Sequence, residues 1–230
     1  MTITQLLENA LFVIVVVYLM NQVRRPTRWV GRPILWAMNH SHAGVTDWGL
    51  RHVAIDTRST ILDIGCGGGR TIQKMAAIAT EGKVYGIDYA AGSVAAASSA
   101  NASLIDAGRV EIQRASVSQL PFADNTFDLV TAVETQYYWP DLPGAMREIQ
   151  RVLKPGGTVT IIVESYRSAR GATLSRVSMK LLRARLLSVD EQRQLFSAAG
   201  YATVETFEEP RKGWFCATAT KPISPSAIPV

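Results

Sequence analysis

Cysteine is scarce in this chain. Cys66 and Cys216 are the only two, and they lie far apart in sequence. That excludes a disulfide framework, a zinc-type ligand spacing and a vicinal redox pair. It fits a reducing, cytoplasmic setting. No basic leader with a small-residue cleavage site opens the chain, so a secretory signal is not expected. A long apolar run is also missing. The longest, Ala10 to Met20 (ALFVIVVVYLM), spans roughly 16 Å as a helix, about half of a bilayer core. Extending it brings in Glu8 and Asn9 on one side and Asn21 and Gln22 on the other. No internal repeat is present, and no catalytic dyad or cluster of metal ligands is evident, so no metal is expected.

What is present is sufficient for one folded domain. The 230 residues are 47% hydrophobic, an ordinary share for a globular chain. The net charge of +5 is unevenly spread. Arg24, Arg25, Arg28 and Arg32 follow the apolar N-terminal segment. Arg167, Arg170, Arg176, Lys180, Arg183 and Arg185 form a second basic group. Such groups suit an anionic membrane surface, nucleic acid or an acidic substrate, or else form a solvated helix face. The N-terminal segment reads either as a helix lying on a membrane through residues 6–32 or as one packed on the domain or a second subunit in a homo-oligomer. The arginines after it would keep the main domain on the cytoplasmic side.

From residue 60 onward, short apolar runs alternate with helical patterns. Thr60–Ile64, Lys83–Asp88, Val110–Arg114, Phe127–Val133 and Thr158–Val163 read as strands. Arg70–Ala79, Gly92–Ala107, Leu142–Leu153 and Val189–Ala199 read as helices, the third stopped by Lys154-Pro155-Gly156-Gly157. Thr203–Phe207 and Trp214–Thr220 read as a terminal hairpin. The expected fold is α/β: a Rossmann-like, doubly wound, seven-stranded sheet, mostly parallel, with an antiparallel C-terminal hairpin strand and helices on both faces. The expected organisation is an apolar helix and basic linker (1–32), a domain (33–221) and a flexible tail (222–230). Within the domain, 33–56 is a lid segment and 167–187 a basic insert.

The chemistry centres on Leu62-Asp63-Ile64-Gly65-Cys66-Gly67-Gly68-Gly69-Arg70, which follows a strand and opens a helix. Glycines there let the backbone turn tightly and approach a ligand. Arg70 stands where a dinucleotide G-x-G-x-x-G pattern would need its third glycine. An acid, Asp63, closes the strand, which suits a ligand with a cationic amino-acid end better than a pyrophosphate. Asp88 ends the second strand, about twenty residues on, where an acid accepts hydrogen bonds from both ribose hydroxyls of an adenosine.

LDIGCGGGR, YGIDYA, LPFADNTFDLV, ETQYYWPDL and REIQRVLKPGG, in that order, resemble the class I S-adenosylmethionine-dependent methyltransferases. The branch most resembled is the small-molecule one related to ubiquinone and menaquinone methyltransferases. The resemblance covers about Thr60–Val163 and extends more loosely to about Lys221. It implies methyl transfer from S-adenosylmethionine to a small-molecule or lipid-like acceptor, with a catalytically silent binding or scaffold protein as the alternative. It puts Asp63, Gly65, Cys66, Gly67 and Gly69 on the methionine moiety, Asp88 on the ribose and Tyr89 near the adenine. Counting back from Leu120 places Ser116 where relatives carry an acid against the adenine amino group, with the Val117 backbone beside it. A serine is a weaker acceptor than a carboxylate.

Glu134 and the loop Thr135–Trp139 border the sulfonium and the acceptor in that family, and an aromatic face can stabilise a sulfonium. Tyr137, Tyr138 and Trp139 are alternatively ordinary packing residues. Glu164, at the end of the fifth strand, either meets the acceptor or caps the insert. His40 and His42 are candidate bases in the lid, with Glu134 and Tyr137 as further catalytic candidates. Nucleic acid is not expected as a partner: an RNA-binding module and an Asn-Pro-Pro-Tyr motif are both missing, and Glu134-Thr135-Gln136-Tyr137 occupies the place of the latter.

Overall fold

The computed structural model describes residues 31–167 and 184–223, with positions 5, 11, 12, 14, 15, 18, 22, 27 and 179. The tail expectation for 224–230, most of the 1–32 extension and the interior of the basic insert lie outside the described residues.

Two helices lead in, α1 (Gly31–Ser41) and α2 (Ala43–Leu50). The order then runs β1 (Thr60–Ile64), α3 (Arg70–Ile78), β2 (Lys83–Asp88), α4 (Ala91–Ala100), α5 (Ala102–Asp106), β3 (Val110–Arg114) and β4 (Phe127–Val133). It continues through α6 (Leu142–Val152), β5 (Leu153–Val163), α7 (Val189–Ala198), β6 (Val204–Glu209) and β7 (Trp214–Thr220). The seven strands form one sheet in the order β3-β2-β1-β4-β5-β7-β6. β1 to β5 pair in parallel, and β7 runs antiparallel to both β5 and β6. The expected mixed, doubly wound sheet is therefore present.

The central strands are buried because their apolar runs face helices on both sides. Ile61, Leu62, Val130, Val159 and Ile161 are fully covered. On one face Phe127, Met146, Ile149 and Phe196 join the larger core; on the other Ile72, Met75 and Ala97 form a second. A third cluster, Val45 with Ile162 and Cys216, docks α2 onto β5 and β7. Gly49 permits that approach, since a Cβ there would lie 2.6 Å from Ile162.

Two elements differ from the sequence reading. The Ala-rich stretch expected as one helix over Gly92–Ala107 breaks at Asn101. Its side-chain amide is turned inward and donates to the carbonyls of Ala97 and Gly69. The fifth strand starts at Leu153 rather than Thr158. Leu153 pairs with Phe127 before the register shifts, so Lys154–Gly157 interrupts the ladder without ending the strand.

Candidate active site

The strand order reverses between β1 and β4, and in such sheets ligands bind outside the carboxyl ends at that point. The loop Gly65–Gly69 emerges there. Gly65, Gly67 and Gly69 all have φ between 53° and 80°, conformations that a side chain rarely adopts. The loop is tied down by hydrogen bonds from Gly65 N and Cys66 N to the Ile87 carbonyl. A Cβ on Gly67 would meet nothing nearer than 4.0 Å, so this residue borders open space.

Asp88 holds the loop from the neighbouring strand. Its Oδ2 accepts from Gly67 N at 3.1 Å and its Oδ1 from Ala90 N at 2.8 Å. Asp63 is almost wholly buried, and its Oδ1 accepts from the Thr131 hydroxyl at 2.7 Å. Burial, opposed by that hydrogen bond and reinforced by the charge of Asp88, pushes the Asp63 carboxyl up to about 7. Burial likewise raises Asp88. Cys66 is buried, with its thiol pushed well up by the same cause.

Two adjoining cavities share Gly65, Asp88, Tyr89, Thr135 and Tyr138. The one of about 320 Å³ runs toward Ser116, Val117 and Trp139. The other runs over Asp63 and the glycine loop to His42 and Glu134. Ser116 is exposed, and its hydroxyl accepts from Ser118 N at 3.2 Å. Tyr89 is 40% exposed at the mouth of both cavities. Tyr137 and Trp139 are buried, whereas Tyr138 faces both cavities.

Glu134 follows β4 with φ 57°, a rare conformation for a residue with a side chain. Its Oε1 accepts from the Tyr137 hydroxyl at 3.1 Å and, more closely, from Glu164 N. Burial and the adjacent Glu164 push its carboxyl up to about 8. Burial also raises Glu164 and lowers His42.

The two lid histidines go separate ways, because the helix breaks after Ser41. His42 points at Glu134 and Glu164, at 4.0 and 3.7 Å. His40 is exposed, stacks on Trp36 and lines a different cleft beside Arg70 and Lys74. The structure thus separates His40 from the other candidates and brings Glu164 to them. The sequence places Glu134 and Glu164 on one sheet edge and His42 in the lid, but their close approach comes from the fold, since three distant segments supply it.

A pH dependence follows. Between their unfolded values and about 7 and 8, Asp63 and Glu134 hold protons in the folded state that the unfolded chain has released. Stability is therefore expected to fall as pH rises from about 5 to 8, by at most about 1.4 kcal/mol per pH unit for each group. Urea midpoints across that range check this, with Asp63→Asn flattening the slope. A slope unchanged by Asp63→Asn would contradict the raised carboxyl.

Residues 62–161 match the family model described as a methyltransferase domain. The O-methyltransferase cnsE of Penicillium expansum is 31% identical over 147 residues, covering 63% of this chain and 52% of that protein. A demethylmenaquinone methyltransferase of Bacillus mycoides (strain KBAB4) is 32% identical over 117 residues, covering 50% and 49%. The chain thus spans about half the length of these curated relatives. In fold it is similar to a SAM dependent methyltransferase from Aquifex aeolicus, with a TM-score of 0.69 and 19% identity, covering 82% of this chain and 97% of that one.

Proposed function

We propose that this chain, whose residues 62–161 match a methyltransferase domain, is a class I S-adenosylmethionine-dependent methyltransferase that transfers a methyl group from S-adenosylmethionine to a small-molecule or lipid-like acceptor. The observation that carries this reading is the pair of buried acids at the switch point. Asp63 sits beneath the glycine loop and Asp88 ties that loop from β2, with a cavity on either side. When bound, the donor supplies a methyl group already activated on a sulfonium.

In this reading Asp63 and the backbone of Gly65, Cys66, Gly67 and Gly69 face the methionine end, and the ammonium there favours ionised Asp63. Asp88 accepts from the ribose hydroxyls with the lone-pair capacity not used by Gly67, Ala90 and the Ser93 side chain. Tyr89, Ser116 and Val117 line the adenine side. Ser116 spends part of its acceptor capacity on Ser118, which weakens it further as a partner for the adenine amino group. Glu134, His42 and Glu164 then lie at the acceptor end. Methyl transfer is an in-line displacement, so holding the reacting atoms in line provides much of the acceleration. The lid (33–56) supplies His42 to this end. The described ends of the insert close beside it, since Arg185 N donates to the Tyr137 carbonyl and Arg167 N to the Leu187 carbonyl.

The test is transfer of label from methyl-labelled S-adenosylmethionine to extracted lipids, quinones and small metabolites, alongside calorimetry with S-adenosylhomocysteine. Labelled product with cofactor binding is expected. Cofactor binding without any labelled product would favour the silent scaffold, and absence of binding by folded protein would overturn the assignment.

Membrane attachment belongs to the same proposal. No described helix is long and apolar enough to cross a membrane. Among the described positions of the N-terminal segment, Leu11, Phe12, Ile14, Val15 and Tyr18 are helical and exposed. An apolar face followed by arginines is the two-signal arrangement that holds a peripheral protein at an anionic surface. Full-length protein is expected to float with anionic vesicles at low salt, and to lose that on removal of residues 1–32. Monodisperse full-length protein that never floats would place this segment against protein instead.

A further inference from the structure

We propose that His42, Glu134 and Glu164 form a binding site for one divalent transition-metal ion, of the Zn2+, Mn2+ or Co2+ class, at the acceptor end of the cavity. The location deepens the methyltransferase reading and rests on it, while the ligand chemistry stands on the three side chains alone. Glu134 and Glu164 each sit one residue beyond the ends of β4 and β5, and those strands are neighbours, with Val133 opposite Ile162. His42 is delivered from outside the sheet by α2, which Val45 and Gly49 seat against Ile162.

One ligating atom from each of the three lies within 4.8 Å of the other two. His42 Nε2 is 3.7 Å from Glu164 Oε2 and 4.0 Å from Glu134 Oε2. Both separations are too long for hydrogen bonds, so neither carboxylate is bonded directly to the imidazole, and the three atoms leave room for an ion among them. Around an ion bonded at about 2.0–2.2 Å, tetrahedral ligands stand about 3.4 Å apart. Around an ammonium hydrogen-bonded at about 2.9 Å, they would stand about 4.7 Å apart. The distance to Glu164 lies closer to the metal geometry, and that to Glu134 comes within reach once the side chains close by a few tenths of an ångström.

The surroundings fit. Glu134 Oε1 is held by the Tyr137 hydroxyl and by Glu164 N, which leaves Oε2 for the shared point. Tyr137 is in turn fixed by Ser165, whose N–H donates to its hydroxyl at 3.1 Å. Hydrogen-bonded support of this kind is what orients a ligating carboxylate. One imidazole nitrogen with two carboxylate oxygens suits zinc and its first-row neighbours better than Mg2+ or Ca2+, which prefer oxygen throughout. His42 and Glu134 line the cavity, so an ion held by the three side chains would leave its remaining positions to water or to an acceptor oxygen. Linear spacing gave no sign of this cluster, because its three residues come from separate segments that the fold brings together.

The experiment is a titration of chelator-treated, full-length protein with MnCl2, read by the electron paramagnetic resonance of free Mn2+, with and without S-adenosylhomocysteine. One equivalent is expected to bind. Glu164→Gln and His42→Gln should each weaken it by at least the roughly 10–100-fold that losing a ligand's supporting partner costs, while His40→Gln leaves it unchanged. Co2+ provides a second readout, since its visible absorption should change in His42→Gln. Calorimetry with S-adenosylhomocysteine on every variant reports folding and tests the cofactor reading separately. Normal cofactor binding without stoichiometric Mn2+ binding overturns the metal site alone. So does Mn2+ binding that neither Glu164→Gln nor His42→Gln affects.

Discussion

Asp88→Ala is expected to weaken binding of S-adenosylmethionine by about 10–150-fold, the loss of hydrogen bonds to a charged acceptor worth about 1.5–3 kcal/mol. The carboxylate does two jobs at once. It accepts from Gly67 N and Ala90 N, which fixes the glycine loop, and in the proposed complex it also accepts from the ribose. Asp88→Asn separates the two. Its single amide oxygen can keep one backbone contact but places a donor where the second acceptor stood. Calorimetry on both variants, with urea midpoints beside it, distinguishes lost ligand bonds from a loosened loop. An Asp88→Ala protein with wild-type affinity would show that Asp88 serves only the turn.

Gly65→Ala should be more damaging still. The residue has φ 74°, and a Cβ there would lie 2.2 Å from the Thr135 hydroxyl and 2.7 Å from its Cβ. The left-handed backbone alone costs a side chain about 1–3 kcal/mol, and the clash drives the loop away from the residue that follows Glu134. Cofactor binding is expected to become undetectable by calorimetry, with a lowered melting temperature. Thr135→Ala in the same chain removes the hydroxyl contact but leaves the Cβ contact and the backbone strain, so it should restore only a small part of the stability, and Thr135→Gly, which removes the Cβ too, should restore more. Full binding by Gly65→Ala would mean that the loop has another conformation open to it.

Much of the sheet could be read from the residues. β1, β4 and β7 begin and end where their apolar runs do, because a strand buried on both faces has little use for polar positions and its ends are marked by glycine, aspartate or charge; β2 and the edge strand β3 keep the expected bounds with polar residues among the apolar ones. Asp63 and Asp88 were legible because the first stands one residue before the end of such a run and the second closes one. The acceptor end was not. Glu134 and Glu164 become neighbours only through the β4–β5 pairing, and His42 reaches them only because α2 docks through Val45 and Gly49. His40 and His42 look interchangeable in sequence, and a helix break after Ser41 decides between them. Asn101 gave no signal either, since nothing local says that its amide turns inward to the carbonyl of Gly69.

The position of β7 has a consequence for how the chain is made. It is the last of the seven strands in sequence, yet it lies between β5 and β6 rather than at an edge. As the nascent chain leaves the ribosome, β5 must wait for a partner that emerges more than fifty residues later. During that interval its outer edge, with Val159, Ile161 and Val163, is an open template for other strands. Sheet closure is then a late, long-range step of high contact order. The speed at which the stretch from β5 to β7 is translated, and chaperone access to that edge, should therefore govern soluble yield more than changes within β1 or β2 do.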